Sequence, residues 1–381
     1  VASGHVRAAG RRSCSAELIM YRHALVIGKF YPPHAGHHAL IRFAASVAEE
    51  VTVVAMPSAV ESIPLADRVG WLRESHRENP SVQITGIVCD APVDLRSRAV
   101  WAAQVACMRA AVAQVSPDRV DVVVSSEGYG RELATWFDAA HVSFDPDRRR
   151  LPISGTRCRA DLAESWTYLD APTSAGLMTH VVVLGSESTG TTTVSQAVAQ
   201  HFRDRGGIWA STRWVPEYGR DATVEKLAQL RTTSAEADMN DVTWSGDDFA
   251  HIARTQQGRE DAAARDGSPL LVCDTDAFTT TIWERRYLGP HSHRAAPEVR
   301  DTGSIYLVTD HEDVPFVQDG IRDGEHVRAE MTGWFIDALT RSGRSWVLLT
   351  GSLDERIALA VRVADQALAT RSTFADPLGV S

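Results

Sequence analysis

His23-Ala-Leu-Val-Ile-Gly28-Lys29-Phe30-Tyr31-Pro32-Pro33-His34-Ala35-Gly36-His37 runs from an apolar stretch into a glycine-bounded turn, and then into Leu40, Phe43, Ala44 and Val47 at helical spacing. A continuous β-branched run of this kind suits a strand buried on both faces of a parallel sheet. The following recurrence gives a helix one apolar face to lay on that sheet. Val51–Met56 repeats the strand pattern and completes a βαβ unit.

The alternation continues outward. Val82–Val88, Val120–Val124 and His141–Phe144 read as further strands, with Ser97–Val115 as a helix. It pauses at Asp170-Ala-Pro-Thr-Ser-Ala-Gly176, a turn-rich stretch that reads as a linker over 171–178. It then restarts with a strand at His180–Leu184, a glycine-bounded loop and a helix to about Arg205. Strands follow at Pro269–Cys273, Ser304–Val308 and Ser345–Leu349, and a last helix runs from Ser352 to about Ala369. The expected architecture is α/β, with two tandem domains at 21–170 and 179–369. Residues 1–20 read as a disordered extension before a natural start at Met20, and 370–381 as a frayed tail.

Composition narrows the function. Thirty-nine Lys and Arg against 49 Asp and Glu give a net charge of −10, which argues against nucleic acid as a partner. No apolar run approaches the roughly 20 residues that span a bilayer, so no membrane is expected. The five cysteines (Cys14, Cys89, Cys107, Cys158, Cys273) are scattered, without a C-x-x-C pair, and point to a reducing cytoplasm. The oligomeric state stays open, a homo-oligomer included.

The Gly28-Lys29-Phe30 turn and His34-x-Gly36-His37 feed a helix N-terminus, where free amide N–H groups and the dipole favour a phosphate. His34 and His37, one turn apart, can aim imidazole donors at phosphate oxygens. Merely capping the helix is the plainer role for them. Ile153-Ser154-Gly155-Thr156-Arg157-Cys158-Arg159 follows a basic turn, Asp145 to Arg150, and opens a second helix. Ser154 or Thr156 can cap it, and Arg159 can hold a phosphate bidentately. Alone this is a weak pattern; paired with H-x-G-H it is strong.

The second half carries Gly185-Ser186-Glu187-Ser188-Thr189-Gly190-Thr191-Thr192 between strand and helix, the spacing of a P-loop. Its amides would wrap a phosphate and the Thr192 hydroxyl would meet Mg²⁺. The lysine position is Thr191. Leu270-Leu-Val-Cys-Asp274-Thr-Asp276 ends an apolar strand in two carboxylates, fit for a Mg²⁺ shell or a base, with a cap at Asp274 as the plainer role. Arg322 and Arg328 lie in or beside a glycine-punctuated segment, Asp313 to Gly324, which reads as a phosphate lid or as an ordinary exposed loop.

The first pair of motifs resembles the nucleotidyltransferase superfamily with H-x-G-H and I-S-x-T-x-x-R signatures. The whole order of motifs resembles the bifunctional NMN adenylyltransferase/ribosylnicotinamide kinase family, the NadR type. Further carriers are Asp94-Leu-Arg-Ser-Arg98, Ser125-Ser-Glu-Gly-Tyr-Gly130, Glu217-Tyr-Gly-Arg220 and V-P-F-V-Q-D-G-I-R at 314–322. The resemblance implies a Rossmann-like H-x-G-H nucleotidyltransferase domain followed by a P-loop kinase-like domain, without the helix-turn-helix repressor module of some members. It implies ATP and Mg²⁺, with nicotinamide mononucleotide and nicotinamide riboside as the other small-molecule substrates. His34 and His37 would take the α- and β-phosphates, Ser154 and Thr156 the phosphate tail, and Arg159 the leaving pyrophosphate. In the second domain Glu217, Asp274 or Asp276 would position the nucleoside or accept its proton. Thr192, Asp274 and Asp276 are the metal candidates, and Arg322 and Arg328 would neutralise phosphate charge.

Two other readings stay beside this one. The lysine-less P-loop domain would bind nucleotide only as a sensor, or the first domain would act on another phosphate acceptor, such as phosphopantetheine. Trp101 or Trp71 would stack on a pyridinium ring, although most tryptophans are core.

Overall fold

The computed structural model describes residues 20–92 and 94–378. The expected extension at 1–19 lies outside the described residues, as do 93 and 379–381. The first half runs β1 (Tyr21–Gly28), α1 (Ala35–Val47), β2 (Ala48–Ala55), α2 (Leu65–His76), β3 (Val82–Gly86), α3 (Arg98–Val112), β4 (Val122–Ser125), α4 (Gly130–Phe137), β5 (Ala140–Ser143) and α5 (Gly155–Ala160). All strand pairings are parallel, in the order β3-β2-β1-β4-β5. Alternate residues of β1 serve opposite faces. Ala24 and Val26 pack with Leu40, Ile41 and Ala44 of α1, whereas Leu25 packs with Trp101, Val105 and Met108 of α3. The chain leaves β1 on one side and returns to β4 on the other, which opens a crevice at the carboxyl ends of the two strands.

A helix, α6 (Ala171–Leu177), leads to the second half. There follow β6 (Thr179–Gly185), α7 (Thr191–Arg203), β7 (Arg213–Val215), α8 (Tyr218–Arg231), α9 (Gly246–Ala264), β8 (Leu270–Asp274), α10 (Ala277–Leu288), β9 (Ile305–Thr309), α11 (Arg328–Arg341), β10 (Ser345–Leu349) and α12 (Leu353–Arg371). The second sheet is again parallel, ordered β10-β9-β6-β8-β7. Val181 and Val183 of β6 pack on α7 and α12, and Val182 and Leu184 on Phe335 and Leu339 of α11. The short edge strand β7 has no counterpart in the sequence reading, because three residues leave no readable period.

Two expectations need correction at the junction. The stretch read as a turn-rich linker is the helix α6, with Thr173, Ser174 and Leu177 buried. It presses so closely on α2 that a Cβ at Gly176 would lie 2.3 Å from the Trp71 ring, so small residues there serve contact. The tail read as frayed is packed. Phe374 meets the Tyr31 ring edge-on at 5.7 Å, and the Ala375 N–H donates to Ser62 Oγ at 2.7 Å. One apolar cluster joins Tyr31, Ile63, Leu162 and Trp166 to Leu271, Phe278 and Phe335 of the second half.

Trp166 is the clearest tie across this junction. It is buried at 4 % exposure, and its indole Nε1 donates to the Gly267 carbonyl at 2.9 Å. Trp166→Ala should cost about 3–5 kcal/mol of stability by leaving a cavity. Trp166→Phe, which loses mainly the N–H bond, should cost about 1 kcal/mol. Denaturant unfolding of both variants, monitored by far-ultraviolet dichroism, checks the ranking.

Candidate active sites

The crevice of the first sheet is a cavity of about 580 Å³ whose wall includes Gly28, Lys29, Phe30, His34, His37, Ser154, Thr156 and Arg159. Residues from the two ends of the domain thus meet in one space. One backbone position shapes the turn. Phe30 takes a left-handed φ of 48°, an unusual conformation for a residue with a side chain, and its ring meets His37 edge-on at 4.8 Å. His34 caps α1, its Nδ1 accepting from the Gly36 N–H at 3.2 Å. The His34 and His37 rings stack with centroids 3.7 Å apart, and His37 Nδ1 is buried without a hydrogen-bond partner.

The two histidines therefore differ, His34 capping the helix and His37 keeping a ring nitrogen without a partner. Burial lowers both pKa values, His34 to about 3 and His37 well below its ordinary value. Neighbouring His38 and Arg148 add to the effect at both. Burial thus favours the neutral form of both imidazoles, which offer N–H dipoles rather than charge.

The positive charge comes from elsewhere. Ser154 caps α5 through a bond from the Arg157 N–H at 3.2 Å, which leaves Arg159 one turn along. The Arg159 guanidinium donates to the Tyr31 carbonyl at 2.7 Å and lies over the Tyr31 ring at 4.8 Å. Arg68 covers the same ring at 4.4 Å and is ion-paired to Glu61 at 2.6 Å. Glu61 also pairs with Lys29, so the Lys29 charge is already matched. Burial pushes the Glu61 carboxyl up, but the bonds from Lys29 and Arg68 outweigh it and hold it below the usual range.

Arg148 was missed as a site residue. Asp145 accepts from the Arg149 and Arg150 N–H groups at 2.9 and 3.0 Å, and the tightened turn puts Arg148 on the cavity wall. Its only sequence signal is the run of three arginines. Trp101 lines the cavity, whereas Trp71 lies against α6.

In the second half the P-loop follows β6. Ser188 at φ 60° and Gly190 at φ 89° form its bend, and Thr189 Oγ1 donates to the Ser186 carbonyl at 2.7 Å. Thr192 Oγ1 donates to Asp274 Oδ2 at 2.5 Å, which joins the strand end to the P-loop. Asp274 Oδ1 is buried with no partner, and burial lifts this carboxyl to about 6 despite bonds from Thr192 and Thr191.

Asp276 goes elsewhere. Its Oδ1 accepts from the N–H and hydroxyl of Thr279, both at 2.8 Å, and its Oδ2 from the Tyr306 hydroxyl at 2.8 Å. The helix cap expected at Asp274 is thus Asp276, whose oxygens are taken up by this duty.

Beside the P-loop lies a smaller cavity of about 130 Å³, lined by Glu187, Thr191, Glu217, Arg220, Trp244, Tyr287 and Arg322 among others. Burial, with Asp274 nearby, raises Glu217 to about 8. The aromatic wall was not foreseen: Trp244 and Phe249 ring centroids are 5.4 Å apart, and Trp244 and Tyr287 5.7 Å.

The lid segment is docked on the P-loop. Glu187 Oε2 accepts from the Gly324 N–H at 2.7 Å, its Oε1 pairs with Arg286 at 2.9 Å, and Ser188 Oγ accepts from the Val317 N–H at 2.9 Å. Arg322 reaches the cavity, its guanidinium donating to the Val317 carbonyl at 2.7 Å. Arg328 instead points at backbone, donating to Val314 O at 3.0 Å and Ser188 O at 3.3 Å. Arg220 joins Arg322 at the cavity and pairs with Asp319 at 2.6 Å.

Comparison with known proteins agrees with this two-domain fold. Residues 25–161 match the cytidylyltransferase-like family model and residues 180–356 an AAA domain model. The trifunctional NAD biosynthesis/regulator protein NadR of Escherichia coli is 24% identical over 341 residues, covering 85% of this chain and 77% of that one. Its Salmonella typhimurium counterpart is 24% identical over 314 residues, covering 78% and 71%. The NadR-type resemblance is borne out. A NadR crystal structure in complex with NAD and AMP-PNP shares the fold at a TM-score of 0.61 and 18% identity, covering 91% of this chain and 96% of that one. A NadR complex with NR gives 0.60 and 19%, covering 92% and 96%. Among the described residues no helix is long and apolar enough to cross a membrane.

The buried histidines set a pH dependence. His34 falls to about 3, His76 and His180 to about 4, and His37 is also depressed. Below pH 6.5 the unfolded chain takes up protons that the folded chain refuses. Stability present above 6.5 is therefore lost as pH falls toward these values, by up to about 1.4 kcal/mol per pH unit for each group. Urea midpoints at pH 7 and pH 5 should show this loss, and His34→Asn, which keeps a capping oxygen, should reduce it.

Proposed function

We propose that the chain is an NAD-biosynthetic enzyme of two activities. The first domain joins the adenylyl group of ATP to nicotinamide mononucleotide, and the second phosphorylates the ribose hydroxyl of nicotinamide riboside. The observation that carries the first assignment is the meeting of His34, His37, Ser154, Thr156 and Arg159 in one cavity. A phosphate oxygen of the mononucleotide attacks the α-phosphorus; the bond to the bridging oxygen breaks and pyrophosphate leaves. The protein supplies position and charge neutralisation. Arg159 and Arg148 face the growing negative charge, and the free ring nitrogen of His37 offers or accepts one hydrogen bond there. Trp101 lies on the wall where a pyridinium ring would stack.

In the second domain Asp274 and Thr192 fit a magnesium ion, because Asp274 keeps one orphaned buried oxygen beside the P-loop hydroxyl. The bound ion supplies positive charge to the phosphate oxygens of ATP. Glu217, whose carboxyl is raised to about 8 by burial, lines the aromatic cavity as the group to hold the riboside hydroxyl or, once ionised, to take its proton. Thr191 favours a second reading, a nucleotide sensor without turnover, since a P-loop lysine charge is missing. The retained Thr192–Asp274 pair and the docked arginine-bearing lid weigh against it.

The deciding experiment incubates purified protein with Mg-ATP and either the mononucleotide or the riboside, with products read by liquid chromatography. NAD and mononucleotide respectively are expected; neither product would refute the assignment. His37→Ala should lower kcat for adenylyl transfer by roughly 10²-fold. A rise in the KM for ATP with kcat intact would remove His37 from the transition state. Arg322→Ala should lower riboside phosphorylation by at least about 10-fold, and Thr191→Lys should leave it unchanged or raise it. ATP binding without any riboside turnover in the parent chain establishes the sensor reading.

A further inference from the structure

Tyr31 lies at the root of the adenylyl-transfer cavity, and the carboxy-terminal segment of the second domain reaches across to hold it. The Ser62 N–H donates to the Tyr31 hydroxyl at 2.9 Å, and that hydroxyl donates to the Ala375 carbonyl at 2.9 Å. The Ala375 N–H returns to Ser62 Oγ at 2.7 Å, closing a ring of three bonds. Phe374 packs on the edge of the same phenol ring at 5.7 Å, and Pro377 forms part of the cavity wall. Tyr31 is buried at 1 % exposure, so its hydroxyl depends on these partners rather than on water.

What Tyr31 holds in turn is Arg159. The Tyr31 carbonyl accepts from the Arg159 guanidinium at 2.7 Å and its ring underlies that guanidinium at 4.8 Å. A second guanidinium over the ring, Arg68 at 4.4 Å, is itself fixed by the Ile63 carbonyl and by Glu61, which leaves the ring little freedom. A Cβ at Gly155 would stand 3.0 Å from the Tyr31 carbonyl and 3.2 Å from the Arg159 guanidinium, so α5 is pressed onto the same point.

We propose that residues 373–377 act as a strap from the second domain that positions Arg159 for adenylyl transfer in the first, through Tyr31. Tyr31 and Phe374 are positioning residues, not catalytic ones. The strap makes the first active site dependent on the second domain, so that a first-domain fragment lacks part of its own site. Because reaction rates respond to displacements of about 1 Å by up to ~10²-fold, loosening the strap acts on rate well before it unfolds anything.

The inference rests on the adenylyl-transfer reading, and its test separates the two. The full chain is compared with a truncation after Ser372, with Phe374→Ala and Tyr31→Phe, and with Arg159→Ala alone and combined with the truncation. The truncation should lower kcat for NAD formation by at least about 10-fold and raise the KM for pyrophosphate in the reverse reaction. Phe374→Ala and Tyr31→Phe should show smaller losses of the same kind. Riboside phosphorylation by the same molecules should stay at the parent value. In the Arg159→Ala background the truncation should add little, since its effect runs through that guanidinium.

Calorimetric titration of ATP runs the same cycle without turnover. Arg159-dependent ATP binding with no NAD formed refutes the adenylyl-transfer reading, and the titration then decides the strap on its own. Undiminished ATP binding and NAD formation after truncation overturn the strap. So does a loss equal with and without Arg159, since that marks a general destabilisation.

Discussion

A parallel strand buried on both faces must hand the chain to a helix and recover it on the same side, and everything functional in this protein follows from that constraint. Each crossover sends every strand of a sheet in one direction, so the loops after the strands gather at one end. In the first sheet those loops bring Gly28, Ser125 and the H-x-G-H helix start together. In the second they bring the P-loop after β6 against the end of β8, where Thr192 meets Asp274. One physical rule, applied twice in one chain, makes two crevices at strand ends.

The two crevices treat charge differently. The first sets buried imidazoles beside arginines that are themselves tied down, Arg159 by the Tyr31 carbonyl and Arg148 by Glu127 at 2.7 Å. The second places carboxylates with raised pKa values, Glu217 and Asp274, beside a P-loop whose cationic position is a threonine. A site rich in acidic groups and aromatic rings is suited to a positively charged pyridinium nucleoside. The cations at this cavity are Arg322 from the 313–324 segment and Arg220 from α8.

The junction between domains is where the structure departs most from a reading of beads on a string. The residues at 171–178 have the composition of a loop, yet 171–177 form a helix whose Thr173, Ser174 and Leu177 are buried and whose Gly176 lies against Trp71 with no room for a Cβ. The described segment after α12 has no readable period, and Phe374 and Ala375 meet partners in the other domain, Tyr31 and Ser62. No local signal announces such a contact.

By itself the sequence determined the alternation of strands and helices, the two-domain order, and the residues of the H-x-G-H, I-S-x-T-x-x-R and P-loop motifs. Those features are local: hydrophobic period, turn chemistry and spacing are set by neighbours along the chain. Only the tertiary structure decided which of two nearby carboxylates is free. Asp276 has its oxygens occupied by Thr279 and Tyr306, residues brought near by α10 and β9, while Asp274 keeps one unpaired. Only it could separate Arg322, at the cavity, from Arg328, which serves backbone carbonyls. Only it could reveal Arg148, the aromatic wall of the second cavity and the strap on Tyr31. These depend on contacts between residues far apart in the chain, and a buried polar group declares its role through the partners that the fold delivers.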